Sequence, residues 1–129
     1  MPPRLRPADP GVVAATVGRV LAAVDAGATP APDDLRVLVR HFLALLAAKV
    51  PGRSVEVRVP PYAAVQCVDG PRHTRGTPPG VVETDPLTWV LLCLGRLTWE
   101  EAVTSGRLTA SGERTNLASQ LPLHTEVAP

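Results

Sequence analysis

The chain of 129 residues has 13 basic and 12 acidic residues, a net charge of +1 and 45% hydrophobic residues, which predicts one domain spanning residues 1–129. The near balance of charge argues against a nucleic-acid binder that relies on counterion release. With only two tryptophans, one tyrosine and one phenylalanine, the chain also lacks a base-stacking platform. Cys67 and Cys93 form no CxxC pair, so we expect buried free thiols and a reducing compartment.

Residues 1–50 are predicted to form a helical hairpin. The first helix runs from Pro10 to Asp25, with Asp9 as its N-cap and Pro10 at the first helical position. The second runs from Pro32 to Lys49. Its apolar residues fall at helical spacing and predict a buried stripe of Leu35, Leu38, Phe42, Leu45 and Leu46.

The N-terminus has a second interpretation, because Arg4 and Arg6 precede an apolar stretch as they do in a secretory signal. Arg19 interrupts this stretch, and its valines fall at helical spacing, so we favour the amphipathic helix. No apolar run reaches the roughly 20 residues of a membrane span. We therefore expect a cytoplasmic protein without stable membrane insertion.

Residues 53–121 are predicted to form a sheet with interleaved helices. Valines alternate with charged residues over 55–59, which indicates a half-buried strand. Further strands are predicted at 62–68, 81–83 and 107–111, and the Gly- and Pro-rich segment 69–80 is predicted to be a surface loop.

Two cap signatures predict the helices of this half. Asp85 followed by Pro86 opens a helix through Leu94, and Thr98 with Glu101 forms a capping box that opens a short helix ending at Gly106. A last helical turn is predicted within residues 113–121. The tail, 122–129, is predicted to be loose.

The stretch 81–121 resembles the C-terminal half of sterol-carrier-protein-like domains. The resemblance rests on an acidic N-cap, on Gly95 between two helices and on a helix that ends at Ser-Gly, with the marks at Asp85, Gly95, Ala102, Ser105-Gly106, Leu108 and Ser111-Gly112. The family usually has Asp after the final glycine, where this chain has Glu113. VEVRVPPYAAVQC at 55–67, HTRGTPP at 73–79 and the TDPLTW run are similar to the short actinobacterial branch of that superfamily.

This resemblance implies an α+β fold. A small twisted sheet of four to five strands, largely antiparallel or mixed, would pack its helices on one face. It also implies an apolar cavity or tunnel between sheet and helices, which holds sterols, fatty acids or acyl-CoA in better-known relatives.

An empty cavity of roughly 300 Å³ would destabilise the fold by about 7 kcal/mol, so the cavity is expected either to hold a ligand or to be closed. Each of these alternatives predicts a function. In the first, which is our leading hypothesis, the protein carries a lipid or another apolar small molecule without catalysis. In the second, the cavity is closed and the protein is an interaction or regulatory module that binds a protein partner, with monomer and homodimer both open. The predicted apolar walls are Leu38, Phe42, Leu46, Val55, Val57, Val59, Trp89, Leu92 and Cys93.

The predicted loop carries a polar site for the first hypothesis. Arg72, His73 and Arg75 offer positive groups for a phosphate or carboxylate headgroup, with a solvated loop as the alternative. Serines lie in no GxSxG or SxxK motif, and the three histidines have no metal-ligand spacing. We therefore expect no catalysis, no metal and no cofactor.

Overall fold

The computed structural model describes residues 4–70 and 80–124. The elements are α1 (Pro10–Asp25), α2 (Pro32–Lys49), β1 (Val55–Val59), β2 (Ala63–Cys67), β3 (Gly80–Thr84), α3 (Pro86–Cys93), α4 (Trp99–Thr104), β4 (Leu108–Gly112) and a 3-10 turn, Ala118–Gln120. The predicted α+β class is confirmed, and both helices of the predicted hairpin have the expected bounds.

Helices α1 and α2 begin in different ways. The Asp9 carboxylate accepts the backbone N–H groups of Gly11 and Val12, at 3.0 and 3.3 Å, and so caps α1. Helix α2 has no side-chain cap and begins at Pro32 with two aspartates in its first turn. The buried valines of α1 face the core, and α2 packs against both α1 and α3.

The four strands form one mixed sheet in the order β2-β1-β3-β4. Strand β1 is antiparallel to β2 and parallel to β3, and β3 is antiparallel to β4. Val57 lies opposite Val65 of β2 and Val82 of β3, so alternate residues share one buried face. Arg58 and Glu83 on the other face are exposed, so the helices cover only one side of the sheet.

The cap signatures of α3 and α4 are confirmed. The Asp85 carboxylate accepts the Thr88 N–H at 3.0 Å and the Thr88 hydroxyl at 2.5 Å. Both halves of the capping box at α4 are present, since the Thr98 hydroxyl accepts the Glu101 N–H at 3.1 Å and the Glu101 carboxylate accepts the Thr98 N–H at 3.0 Å.

Several bounds differ from those predicted. Strand β3 begins at Gly80, which was expected in the loop, and its N–H donates to the Ser54 carbonyl at 3.0 Å. A Cβ on Gly80 would lie 2.6 Å from the Glu113 carbonyl oxygen, so this pairing requires glycine. Val68 has a φ of 65° and leaves the ladder, which shortens β2. Residues 71–79 of the predicted loop lie outside the described part.

Candidate functional site

The nine predicted wall residues come together between the sheet and helices α2 and α3. We call this set the seam: Leu38, Phe42, Leu46, Val55, Val57, Val59, Trp89, Leu92 and Cys93. All nine belong to one hydrophobic cluster, and each side chain is 0–1% exposed. The structure thus places all nine in the hydrophobic core, and their contact with a ligand stays a prediction.

The cavity expected within the seam is not found there. A void wide enough for one water molecule would leave accessible area on the side chains around it, and these side chains have almost none. Trp89 and Phe42 are the two largest fully buried side chains of the described residues, and their rings occupy the space that valine strands leave open. The seam is therefore packed like an ordinary protein interior.

Within the described residues, Trp89 carries the buried side-chain polar atom that has no hydrogen-bond partner, its indole Nε1. The residue is 0% exposed, so water does not reach this N–H. A buried donor without a partner costs about 1–3 kcal/mol. The seam therefore has one polar atom to which a ligand oxygen would be a favourable partner.

The two thiols are buried and free, as predicted. Burial raises the pKa of Cys67 to about 11 and raises the pKa of Cys93 well above its usual value. Both thiols therefore stay protonated near neutral pH, which makes them poor nucleophiles and poor metal ligands.

The predicted headgroup residues Arg72, His73 and Arg75 lie outside the described residues, and their contribution stays a prediction. Elsewhere, within 4–70 and 80–124, no three His, Cys, Asp or Glu side chains come together as metal ligands.

A half-open cavity of about 150 Å³ lies where α1, the end of α3 and the C-terminal segment meet. We call it the corner cavity, and it is lined by Leu21, Leu94, Arg96 and His124. The His124 N–H donates to the Cys93 carbonyl at 2.9 Å and holds the C-terminal segment there. None of these four residues was among the predicted site residues.

Beside the corner cavity, His41 of α2 is buried and holds the segment before α1. Its Nδ1 accepts the Ala8 N–H at 3.0 Å. Phe42 lies edge-on to both histidine rings, with centroids 5.0 Å from His41 and 6.1 Å from His124. Burial, and secondarily the charge of His124, lowers the pKa of His41, so the neutral acceptor form is favoured.

A wide, shallow hollow of about 390 Å³ lies over α4 and its caps, lined by Thr98, Glu100, Glu101, Thr104 and Ser105. Hydrogen bonds with Thr98, first with its backbone and then with its side chain, lower the pKa of Glu101. The capping box therefore already uses the Glu101 carboxylate.

The outward face of α1 is apolar, which is unusual for an exposed helix. Its exposed residues between positions 11 and 22 are small or aliphatic apart from Arg19, namely Gly11, Val12, Ala14, Ala15, Gly18 and Ala22. We call this set the α1 outer face. Val12 is 48% exposed, and a Cβ added at Gly18 would meet nothing within 4 Å.

Comparison with known proteins identifies the family. The family model described as bacterial SCP ortholog, where SCP stands for sterol carrier protein, matches residues 32–123, more than two-thirds of the chain. No curated protein matches. Within the described residues, no helix is both long enough and apolar enough to cross a membrane.

Proposed function

Because the chain belongs to the bacterial sterol-carrier-protein ortholog family and its seam is filled, we propose that it is a non-catalytic interaction module with a closed cavity. It binds a protein surface through the α1 outer face. The observation that carries this proposal is the exposure of 0–1% at all nine seam residues.

An open seam without a ligand would be costly. An empty cavity of roughly 300 Å³ destabilises a fold by about 7 kcal/mol, which is comparable to the whole stability of a typical domain, about 5–15 kcal/mol. The ligand-free protein therefore keeps the seam closed, and a carrier would have to separate well-packed layers before a fatty chain could enter.

The two long helices differ in what they present to solvent. Helix α2 exposes charged residues such as Asp33, Arg36 and Arg40, as a solvated helix does. Helix α1 buries one apolar side on the core and presents a second apolar side outward. A helix that is apolar on both sides is normally covered on both, which supports a partner at the α1 outer face.

The partner that fits this face is a second copy of α1. Gly11, Ala15, Gly18 and Ala22 follow a 4-3-4 spacing, the period at which two helices keep one stripe in contact. In an antiparallel pair, each glycine of one copy would face an alanine of the other, which satisfies the self-complementarity of a two-fold interface. Side chains this small let the two backbones approach closely.

Sedimentation velocity over about 10 µM to 1 mM tests the proposal. We expect the wild-type protein to reach twice the 13.6 kDa of the chain. Ala15→Glu buries a charge in the interface and should return the protein to a monomer. Ala48→Glu is the matched control, because Ala48 is an exposed position on α2. A wild-type protein that stays monomeric at 1 mM, or equal effects of both variants, contradicts the proposal.

An apolar ligand is the second candidate, favoured by the family and by the unpaired Trp89 indole. Thermal unfolding with palmitate, palmitoyl-CoA or cholesterol distinguishes it, and we expect no rise in melting temperature. Leu38→Ala supplies a positive control, because a buried Leu→Ala cavity can take up benzene. Benzene should stabilise Leu38→Ala and leave the wild type unchanged. A rise with palmitate in the wild type would favour the carrier instead.

A further inference from the structure

The corner cavity is lined by two leucines and two nitrogen-bearing side chains, and its lining is more polar than apolar. Its volume of about 150 Å³ equals that of an engineered protein cavity that holds one benzene molecule. Leu21 comes from α1, Leu94 caps α3, and His124 comes from the C-terminal segment. A molecule with a small apolar body and one polar end matches this lining.

The Arg96 guanidinium is only weakly engaged by the other described side chains. Among the described residues its closest carboxylate oxygen, on Asp25, lies 3.5 Å away, longer than a good charge-assisted hydrogen bond. Both side chains are substantially exposed, at 49% for Arg96 and 64% for Asp25, so their attraction is weak. A planar guanidinium has five N–H donors in a fork that matches a carboxylate, and within 4–70 and 80–124 this single ion pair uses few of them.

The chain holds the His124 ring at the cavity. Its backbone N–H is bonded to the Cys93 carbonyl, and its ring lies 6.1 Å from the ring of Phe42. The imidazole adds a nitrogen donor or acceptor beside Arg96.

Negative groups nearby limit the affinity without preventing binding. The C-terminal ends of α1 and α3 both lie at this corner, and helix C-termini repel anions. Their terminal carbonyls accept hydrogen bonds from the three residues after each helix, Ala26, Gly27 and Ala28 after α1 and Leu94, Gly95 and Arg96 after α3. Asp25 remains as the charge that competes with an incoming carboxylate for Arg96.

We infer that the corner cavity binds a small carboxylate, of about the size of benzoate, with its apolar body on Leu21 and Leu94 and its carboxylate on Arg96 beside His124. This inference does not depend on the proposed function, because none of the four lining residues belongs to the seam or to the α1 outer face.

Titration of the full-length protein with benzoate, followed by backbone amide NMR shifts, tests the site. We expect saturable shifts at Leu21, Leu94, Arg96 and His124 at millimolar benzoate. Benzamide has the same shape without the charge and should bind at least about tenfold more weakly. Arg96→Gln should lose about tenfold in affinity, since it removes the charge-assisted pair.

Two further variants separate the site from general electrostatics. Asp25→Asn removes the competing carboxylate and should tighten benzoate binding about two- to fivefold. Arg36→Gln removes an exposed arginine of α2 that does not line the cavity, and should leave affinity unchanged. Equal binding of benzoate and benzamide, or equal losses in Arg96→Gln and Arg36→Gln, would overturn the assignment.

Discussion

The seam and the corner cavity are the two candidate ligand-binding regions described above, and they differ in packing. The seam is built from regular elements whose side chains interdigitate until each is 0–1% exposed. The corner cavity lies where a helix, a helix end and a terminal segment meet, and it keeps about 150 Å³ open. In the described part of this protein the packed layers leave no open space between them, and open space lies at the ends of secondary-structure elements.

The two regions also differ in the polar groups that they offer to a ligand. Among the described residues of the seam, the Trp89 Nε1 is the buried polar side-chain atom that lacks a hydrogen-bond partner. The corner cavity has a guanidinium and an imidazole beside two leucines. The first region therefore stabilises the fold, and the second has the groups that recognise a small polar molecule.

The largest expected effect comes from opening the seam. Phe42→Ala removes a fully buried ring and should lower the free energy of unfolding by about 3–5 kcal/mol. Leu21→Ala at the half-buried rim of the corner cavity should cost only about 1 kcal/mol. Urea denaturation measures both, and equal losses would mean that the two regions are packed alike.

A helix cap outside both regions has an intermediate effect. Thr98→Ala removes the hydroxyl that accepts the Glu101 N–H and should cost about 1 kcal/mol. The same urea titration measures it, and Thr98→Ser, which keeps the hydroxyl, should remain near wild type. A loss as large as that of Phe42→Ala would show that α4 carries part of the core.

The smallest expected effect is a pH dependence of the free energy of unfolding. It arises from His41, which lies where the seam and the corner cavity adjoin. The lowered pKa of His41 means that the unfolded chain takes up this proton more readily than the folded one. The free energy of unfolding is therefore highest above the ordinary histidine pKa of 6.5 and falls as the pH drops below it.

His41→Asn isolates this contribution. Asparagine keeps an oxygen that can accept the Ala8 N–H and does not titrate, so the decline in stability below pH 6.5 should be shallower than in the wild type. Thermal unfolding at pH 5.5 and 7.5 gives the comparison. An unchanged decline would assign the pH dependence to groups other than His41.

Local patterns predicted the fold well, because they depend on residues close in sequence. The alternating valines of β1 and the caps at Asp85 and Thr98 are such patterns, and the structure contains all three. The burial of the seam residues on α2 and β1 follows from the same kind of pattern, since periodicity fixes which side of an element faces the core, whereas α3 is buried continuously from Thr88 to Cys93.

Free volume was not predictable, because it depends on how side chains from distant segments fit together. Phe42 and Trp89 fill the space between layers, and neither position shows this in the sequence. The corner cavity needs Leu21 and His124 at one place, and the Ala8 to His41 bond spans 33 positions. The requirement for glycine at position 80 likewise follows from its distant neighbours Glu113 and Thr115.

Native mass spectrometry of the gently purified protein, with lipid extraction of the same sample, tests the central claim of a filled seam most directly. We predict bare polypeptide masses at multiples of 13.6 kDa and no lipid in the extract. A lipid recovered in stoichiometric amount, bound to the folded protein and displaced by palmitate, would contradict it.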